Sequence, residues 1–302
     1  MALLKAEAEK LSTISLERGV VEEIIDRDAT FALLPFMGVN GKAYVYNREN
    51  TLGGVAFLDP NDTISESAST FTEVTTNLRI LAGDVDIDKF LRDTMNNTND
   101  QVAVQLAGKA KQMRRSFQQA FATGDSAVNA KSFDGITKLT PAGQTITAGT
   151  NGAALTLAML DELRDKVPNG PDAYVMRPGT LRAWKALVRA SGGTTPVHQT
   201  LSNFVGADVP AHDGIPILIN EFLPGDEDQG TSLDNTCSIY AVRMNEVDGL
   251  HGIFGGGNAG FVFEEIGTVQ NKDAVRYRVK WYVSLVLKST KSIARLKGIT
   301  NI

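Results

Sequence analysis

Two stretches, Lys42-Ala-Tyr-Val-Tyr-Asn-Arg48 and Thr70-Phe-Thr-Glu-Val-Thr-Thr-Asn-Leu-Arg-Ile80, decide how this chain is read. Both are rich in Thr, Tyr and Val, and both alternate at least in part with the period of two expected of strands. Between them Gly53-Gly54 and Asp59-Pro60-Asn61-Asp62 supply turns. Residues 40–81 therefore predict one long β-hairpin with little apolar weight on either face. A two-stranded ribbon is marginal alone in water. The remaining sequence offers it no obvious internal cover, so the ribbon is expected to lie on a partner.

Working outward, residues 86–121 carry the strongest helical pattern of the chain. Leu91, Met95, Val102, Leu106, Met113, Phe117 and Phe121 recur at spacings that sum from threes and fours. Asp84, Asp86 and Asp88 crowd its start, where negative charge suits the helix dipole, and Gly124 is a natural stop. At ~1.5 Å per residue this is a rod of about 50 Å, far longer than the usual helix of about 11–12 residues. On the other side of the hairpin, residues 1–30 predict a short helix followed by an irregular arm, and Phe31 to Met37 a sticky extended piece broken by Pro35.

Beyond residue 150 the elements are short and alternate. Leu155 to Val167 and Thr180 to Ala190 read as helices; Ala173–Met176, Ile215–Ile219 and Cys237–Met244 read as strands. This order suggests a small sheet with helices packed on it. The clearest period of two lies at Val275, Tyr277, Val279, Trp281, Val283, Leu285 and Leu287, and Ile293–Ile299 adds a closing strand.

The 302 residues are 42% hydrophobic and 22% charged, which excludes a disordered chain. The single Cys237 cannot form an intrachain disulfide, so a reducing compartment is expected. No apolar run approaches the ~18 residues of a membrane span, and the N-terminus does not read as a signal peptide, so a membrane is not an expected partner. The net charge of −5 argues against a free-standing nucleic-acid binder. Its distribution is uneven: residues 272–297 hold eight basic residues and one acid, whereas residues 59–73 hold four acids and no base. Asp59, Asp62, Glu66 and Glu73 on one side, and Arg276, Arg278 and Lys280 on the other, are therefore candidate contacts between neighbouring copies of the chain.

Several motifs with chemical overtones are weaker than they look. Gly255-Gly-Gly-Asn-Ala-Gly260 matches G-x-G-x-x-G, but Phe261–Ile266 after it reads as strand, whereas the dinucleotide motif needs a helix there. A nucleotide-dependent enzyme using this loop is the alternative from another functional class. Asp84-Val-Asp86-Ile-Asp88 opens like a calcium loop but lacks its Gly and its final Glu. Ser126 in Gly124-Asp125-Ser126 needs a base, and His198, His212 and His251 have no context favouring a triad. With Cys237 the three histidines show no metal-ligand spacing. His212-Asp213 reads as a turn, and Asp226-Glu227-Asp228 as an exposed acidic loop. No catalytic, cofactor-binding or metal-binding residue is assigned, and no cofactor and no enzymatic activity are expected.

Arm, uncovered hairpin, lone long helix, compact α/β unit and final β-run follow one another in an order that resembles the major capsid proteins of tailed double-stranded DNA bacteriophages, of the Hong Kong 97-type fold. Phe133-Asp-Gly-Ile136, Met176-Arg-Pro-Gly-Thr180, Asp213-Gly-Ile-Pro-Ile-Leu-Ile-Asn220 followed by Leu223-Pro224, and Ala294-Arg-Leu-Lys-Gly298 are similar to segments of that family. The resemblance implies an α+β, Hong Kong 97-like capsid fold. Its parts would be an N-terminal arm (1–39), an extended β-hairpin or E-loop (40–81), a peripheral domain with a long spine helix (82–145 and 262–302) and an axial α/β domain (146–261). It implies a structural protein that self-assembles, as hexamers and pentamers, into an icosahedral shell around the phage genome. A portal protein and packaged double-stranded DNA, touched non-specifically, would be partners in a virion assembled in the host cytoplasm. Too few residues precede the hairpin for the scaffold-like extension of some members, which implies a separate scaffolding protein or none. Lys42 is the sole lysine of residues 40–81 and lies near the hairpin base, so the Lys–Asn crosslinks of some members are not expected. An encapsulin-like nanocompartment shell, which shares the fold, is the alternative.

Overall fold

The computed structural model describes residues 30–94, 101–192, 198–200, 208–256 and 260–301. The helix and arm expected in residues 1–29 lie outside them. The chain opens with α1 (Thr30–Leu33) and β1 (Phe36–Gly38), followed by β2 (Ala43–Thr51), β3 (Thr70–Asn77) and β4 (Arg79–Asp88). Helices α2 (Lys89–Thr94), α3 (Gln101–Thr123) and α4 (Ile136–Leu139) come next. The middle of the chain holds β5 (Thr145–Thr147), α5 (Leu157–Asp165), β6 (Ala173–Met176), α6 (Pro178–Ala190), β7 (His198–Thr200), β8 (Asp208–His212) and β9 (Ile215–Ile219). Strands β10 (Glu227–Gln229), β11 (Ser232–Val242), β12 (Leu250–Phe254), β13 (Val262–Thr268), β14 (Ala274–Leu287) and β15 (Ile293–Ile299) complete it.

Alternation along β14 organises the first half of the core. Val279, Trp281, Val283, Leu285 and Leu287 are buried on one face and pack with Met113, Phe117 and Phe121 of α3. Arg276, Arg278, Lys280 and Tyr282 take the other face. Around β14 a five-stranded sheet forms in the order β1-β12-β14-β13, with β4 also on β14. Aromatic rings join the N-terminal segment to this core: Phe31 lies 5.0 Å from Phe117, and Phe36 lies 5.6 Å from Trp281. Phe36 also lies over Gly252, where any side chain would overlap its ring. Aromatic pairs of this kind add about 0.5–1.5 kcal/mol each beyond their buried area.

A second, eight-stranded sheet runs β5-β15-β11-β6-β9-β8-β7, with β10 on β11. Its middle strands are covered on both faces. Val175, Leu218, Tyr240 and Val242 point to the core that holds α3, while Tyr174, Met176, Ile239 and Ala241 point to Leu160, Leu163, Leu181 and Trp184 of α5 and α6. That is why Ala173–Met176 and Ile215–Ile219 read as continuous apolar runs. Helix α5 is capped by the Thr156 hydroxyl, which accepts from Met159 N, and α6 begins on Pro178, whose missing N–H is no loss at a first turn. The two sheets share the chain unevenly. Strand β12, within 146–261, belongs to the five-stranded sheet, and β15, within 262–302, to the eight-stranded one.

Two expectations are corrected here. Asp84 and Asp86 do not start a helix; they lie on β4, opposite Arg278 and Arg276 of β14. They alternate with the buried Val85 and Ile87, and that period of two decides the matter once β14 offers a ladder. Only Asp88 caps a helix, its carboxylate accepting from Phe90 N and Leu91 N as α2 begins. The helix expected over 86–121 is therefore α2 and α3, with residues 95–100 outside the described segments, and it stops at Thr123, before Gly124. The second correction concerns the hairpin. It is the ribbon β2–β3, a two-stranded sheet of its own, while residues 79–88 leave it to join β14. Its base is not without internal cover, since Tyr46 and Arg48 bond to carbonyls at the end of β14.

Candidate assembly surfaces

Period-two geometry gives the ribbon two distinct faces. Tyr44, Tyr46 and Arg48 face inward; Val45, Asn47 and Glu49 face outward, opposite Thr75, Glu73 and Phe71. On the outer face Val45 and Phe71 are exposed, and the loop beyond adds exposed Leu52, Val55, Phe57 and Ile64. Phe57 lacks any shielding, at 108% of its reference exposure. Asp59, Asp62 and Glu66 are exposed on the same loop, and Glu73 is exposed on β3. This loop is nevertheless built. Ser67 Oγ donates to Gly54 O (2.9 Å), Asp59 N donates to Asp62 Oδ2 (2.9 Å), and the Thr51 and Thr70 hydroxyls meet at 2.6 Å. An ordered strut bearing apolar side chains in water is the mark of a contact surface.

The inner face docks on the body of the same chain. Tyr46 Oη donates to Leu287 O (2.6 Å), and Arg48 donates to Lys288 O (2.8 Å) and Leu287 O (2.7 Å). Half-burial there pushes the Tyr46 phenol above its ordinary pKa. Tyr44 lies edge-on to the imidazole of His251, with ring centres 6.2 Å apart. Sequence reading missed this contact, although Tyr44-x-Tyr46-x-Arg48 is a one-face stripe with polar tips.

On the outer face of the five-stranded sheet the charges form a ladder. Arg276 grips Asp86 with two hydrogen bonds (2.6 and 2.8 Å) and Arg278 grips Asp84 with two (both 2.8 Å). Lys280 pairs with Glu264. The guanidiniums hold both aspartates below the usual carboxylate range, chiefly through these hydrogen bonds. Arg276, Arg278 and Lys280 thus have acidic partners within their own chain. The structure does not bring them together with Asp59, Asp62, Glu66 or Glu73.

The residues with chemical overtones take structural places. Ser126 N donates to Asp134 Oδ1 (2.7 Å), and Asp125 accepts from Ala127 N (2.8 Å) and Lys138 (3.1 Å), all in the turn after α3. Asp213 (φ 51°) and Gly214 (φ 76°) make the two-residue turn between β8 and β9, with Arg164 paired to Asp213. His212 stands beside it, 3.5 Å from Asp161. His198 is on β7, and His251 is buried in β12. Cys237 is buried beside the Thr180 hydroxyl (3.0 Å), and burial pushes its thiol up to about 11. The acidic loop is corrected: Glu227 is not exposed but pairs with Arg295 (2.9 Å) and accepts from Ser238 (2.5 Å). The glycine loop leaves β12 and leads into the strand β13, so no helix N-terminus follows to meet a pyrophosphate. Among the described residues no group of three His, Cys, Asp or Glu side chains could hold a metal ion, and no helix is long and apolar enough to cross a membrane.

Known proteins agree with this picture. The encapsulin SrpI of Synechococcus elongatus PCC 7942 is similar over 99% of this chain and 97% of its own, with a TM-score of 0.74 at 21% identity. The capsid protein of an empty GTA particle gives 0.71 at 17% identity over 97% of each chain. That of Mycobacterium phage Adephagia gives 0.62 at 13% identity, again over 97% of each. At these identities the likeness is one of fold, and the fold is the Hong Kong 97-like capsid fold. No curated protein sequence matches the chain. The family described as SU10 major capsid protein matches residues 39–300, from the foot of the hairpin to the end of β15, and the chain belongs to that family.

Proposed function

We propose that this protein closes its own shell by laying the hairpin tip of each copy on a neighbour, and that the shell encloses the double-stranded DNA of a tailed phage. The observation that carries this is the ordered, exposed excursion of residues 52–69, acidic and apolar, on a chain of the major capsid protein family. Many identical overlaps, each modest, then add up to a closed symmetric particle of hexamers and pentamers. The tip acids Asp59, Asp62, Glu66 and Glu73 form one side of the contact, and Arg276, Arg278 and Lys280 the other. Because those three bases already hold acids at home, they would share charge across the contact through their exposed edges: Arg278 keeps 40% of its side chain open. In this reading the five-stranded sheet with α3 is the peripheral part and the eight-stranded sheet the axial part. A portal protein, a separate scaffolding protein and the genome are the further partners, and assembly takes place in the host cytoplasm. The role is structural rather than enzymatic.

Electron microscopy of particles purified from expressed protein, after size exclusion, tests the proposal. Closed shells that package DNA in the presence of the phage machinery support it. Shells that fill instead with a protein cargo would move the protein to the nanocompartment reading, and a subunit that never assembles would remove both.

A further inference from the structure

Beyond the tip, the hairpin base has a feature that the shell reading does not use. The ribbon shares no backbone ladder with the body: β2 and β3 pair only with each other. Its hydrogen bonds onto β14 converge on two carbonyls, Leu287 O and Lys288 O, from two side chains, Tyr46 and Arg48. Beneath them lies His251, wholly buried. Among the described residues neither of its ring nitrogens makes a hydrogen bond of ordinary geometry, although the Gly249 backbone lies close enough to favour the protonated ring. Buried polar groups are normally paired, so an orphaned imidazole under a ribbon held down by side-chain hydrogen bonds calls for an account.

We propose that His251 is the release of a latch: its protonation undocks the base of the hairpin from Leu287 and Lys288 and frees the arm to change its angle to the body.

The surroundings favour the neutral ring. From β2 it meets the uncharged Tyr44, and from the end of β14 the ammonium of Lys288, which lies over the Tyr44 ring 5.8 Å from its centre. Strand β1, on the other edge of β12, contributes Phe36, Met37 and Gly38 and no titratable group. Asp248, the nearest acid along the chain, is engaged by Arg243 (3.0 Å) and Asn169 (2.9 Å). Burial first, and Lys288 second, lower the His251 pKa from 6.5 to about 4. The docked state therefore binds its proton later than the undocked one. Docking is retained at neutral pH and weakens as pH falls below the undocked ring's pKa, by at most about tenfold per unit, until the docked ring itself titrates near 4. The whole effect has a ceiling of about 300-fold, reached when lifting the ribbon returns His251 to its ordinary value. A proton on His251 would place a buried cation near the partly exposed ammonium of Lys288, and the cheapest relief is to lift the ribbon and admit water.

Hydrogen–deuterium exchange on the unassembled full chain between pH 7.5 and 4, corrected for intrinsic exchange rates, reads the latch directly. Backbone amides of residues 44–50 and 72–77 are expected to lose protection as pH falls, while those of β6 and β11 keep theirs. His251→Phe should hold the ribbon protected across the whole range. Arg48→Ala should leave it open even at pH 7.5. The latch is overturned if the wild-type ribbon stays protected down to pH 4, if His251→Phe opens over the same range, or if ribbon and β11 lose protection together. Shell formation by the same variants at pH 7.5 is scored separately by microscopy, so failure of the latch and failure of the assembly reading are told apart.

Discussion

At Gly135 the backbone runs so close to the end of α3 that a methyl group would overlap Ala120 O, Phe121 O and Gly124 N. Its own N–H donates to Gly124 O (2.8 Å), and the Thr137 hydroxyl two residues on donates to Ala122 O (2.7 Å). Thr137 also meets Tyr240 of β11 at 2.9 Å, so this turn fastens the long helix to the eight-stranded sheet. Gly135→Ala is expected to destabilise the subunit by about 2–3 kcal/mol, the cost of forcing a group into a filled space. Thermal unfolding followed by circular dichroism checks it; an unchanged melting temperature would mean that the turn gives way easily. Phe133-Asp-Gly-Ile136 could be recognised as a segment, but its reason could not be read from sequence. The contact joins residues that are neighbours only after α3 has turned back. Asp84 and Asp86 show the same limit from another side. Three acids two apart fit a strand as well as a helix start, and only the presence of Arg276 and Arg278 opposite decides between them.

Several single strands were legible from their buried residues, β4 being an exception. Ile215–Ile219 and Ile293–Ile299 have the expected bounds, the first because cover on both faces makes it a continuous apolar run, and β14 spans the expected alternation because one buried face imposes its period. The hairpin was legible for the opposite reason, its want of apolar weight, but its docking was not, since Tyr46 and Arg48 bind carbonyls that carry no sequence signature. The charge ladder between β4 and β14 yields a prediction at this scale. In the folded chain the Arg hydrogen bonds keep Asp84 and Asp86 ionised below their ordinary value of 3.8. As pH falls, the unfolded chain takes up these protons first, so the pairs' contribution is present above that value and is lost as pH drops through the lowered folded values. Urea midpoints measured from pH 7 to 2.5 should fall over that range. In Asp84→Asn/Asp86→Asn they should start lower at pH 7 and decline less below pH 4. A variant as stable as the parent at pH 7, with the same acid slope, would show that the ladder only sets register. The window lies below that of His251, so the two effects are separable.

At the scale of the molecule, the division of labour follows from where burial is satisfied. Both sheets find their cover inside the chain, through α3 on one side and α5 and α6 on the other. The tip of the hairpin does not: Leu52, Val55, Phe57 and Ile64 stay in water, on the same loop as Asp59, Asp62 and Glu66. A subunit built in this way is stable alone yet incomplete, which is what repeated assembly requires. Exposed ion pairs are individually small, but a shell repeats each contact many times. A loss of about 1.4 kcal/mol per contact lowers that contact's equilibrium constant tenfold, and closure multiplies the loss over every copy. Glu66→Lys/Glu73→Lys reverses two of the four tip charges at exposed sites that take no part in either core, so the subunit should stay soluble and melt as the parent does. Size exclusion should then find it as free subunit at concentrations where the parent forms particles, and micrographs should show few or no closed shells. Normal particles from this variant, in normal yield, would mean that Glu66 and Glu73 take no part in the contact between copies.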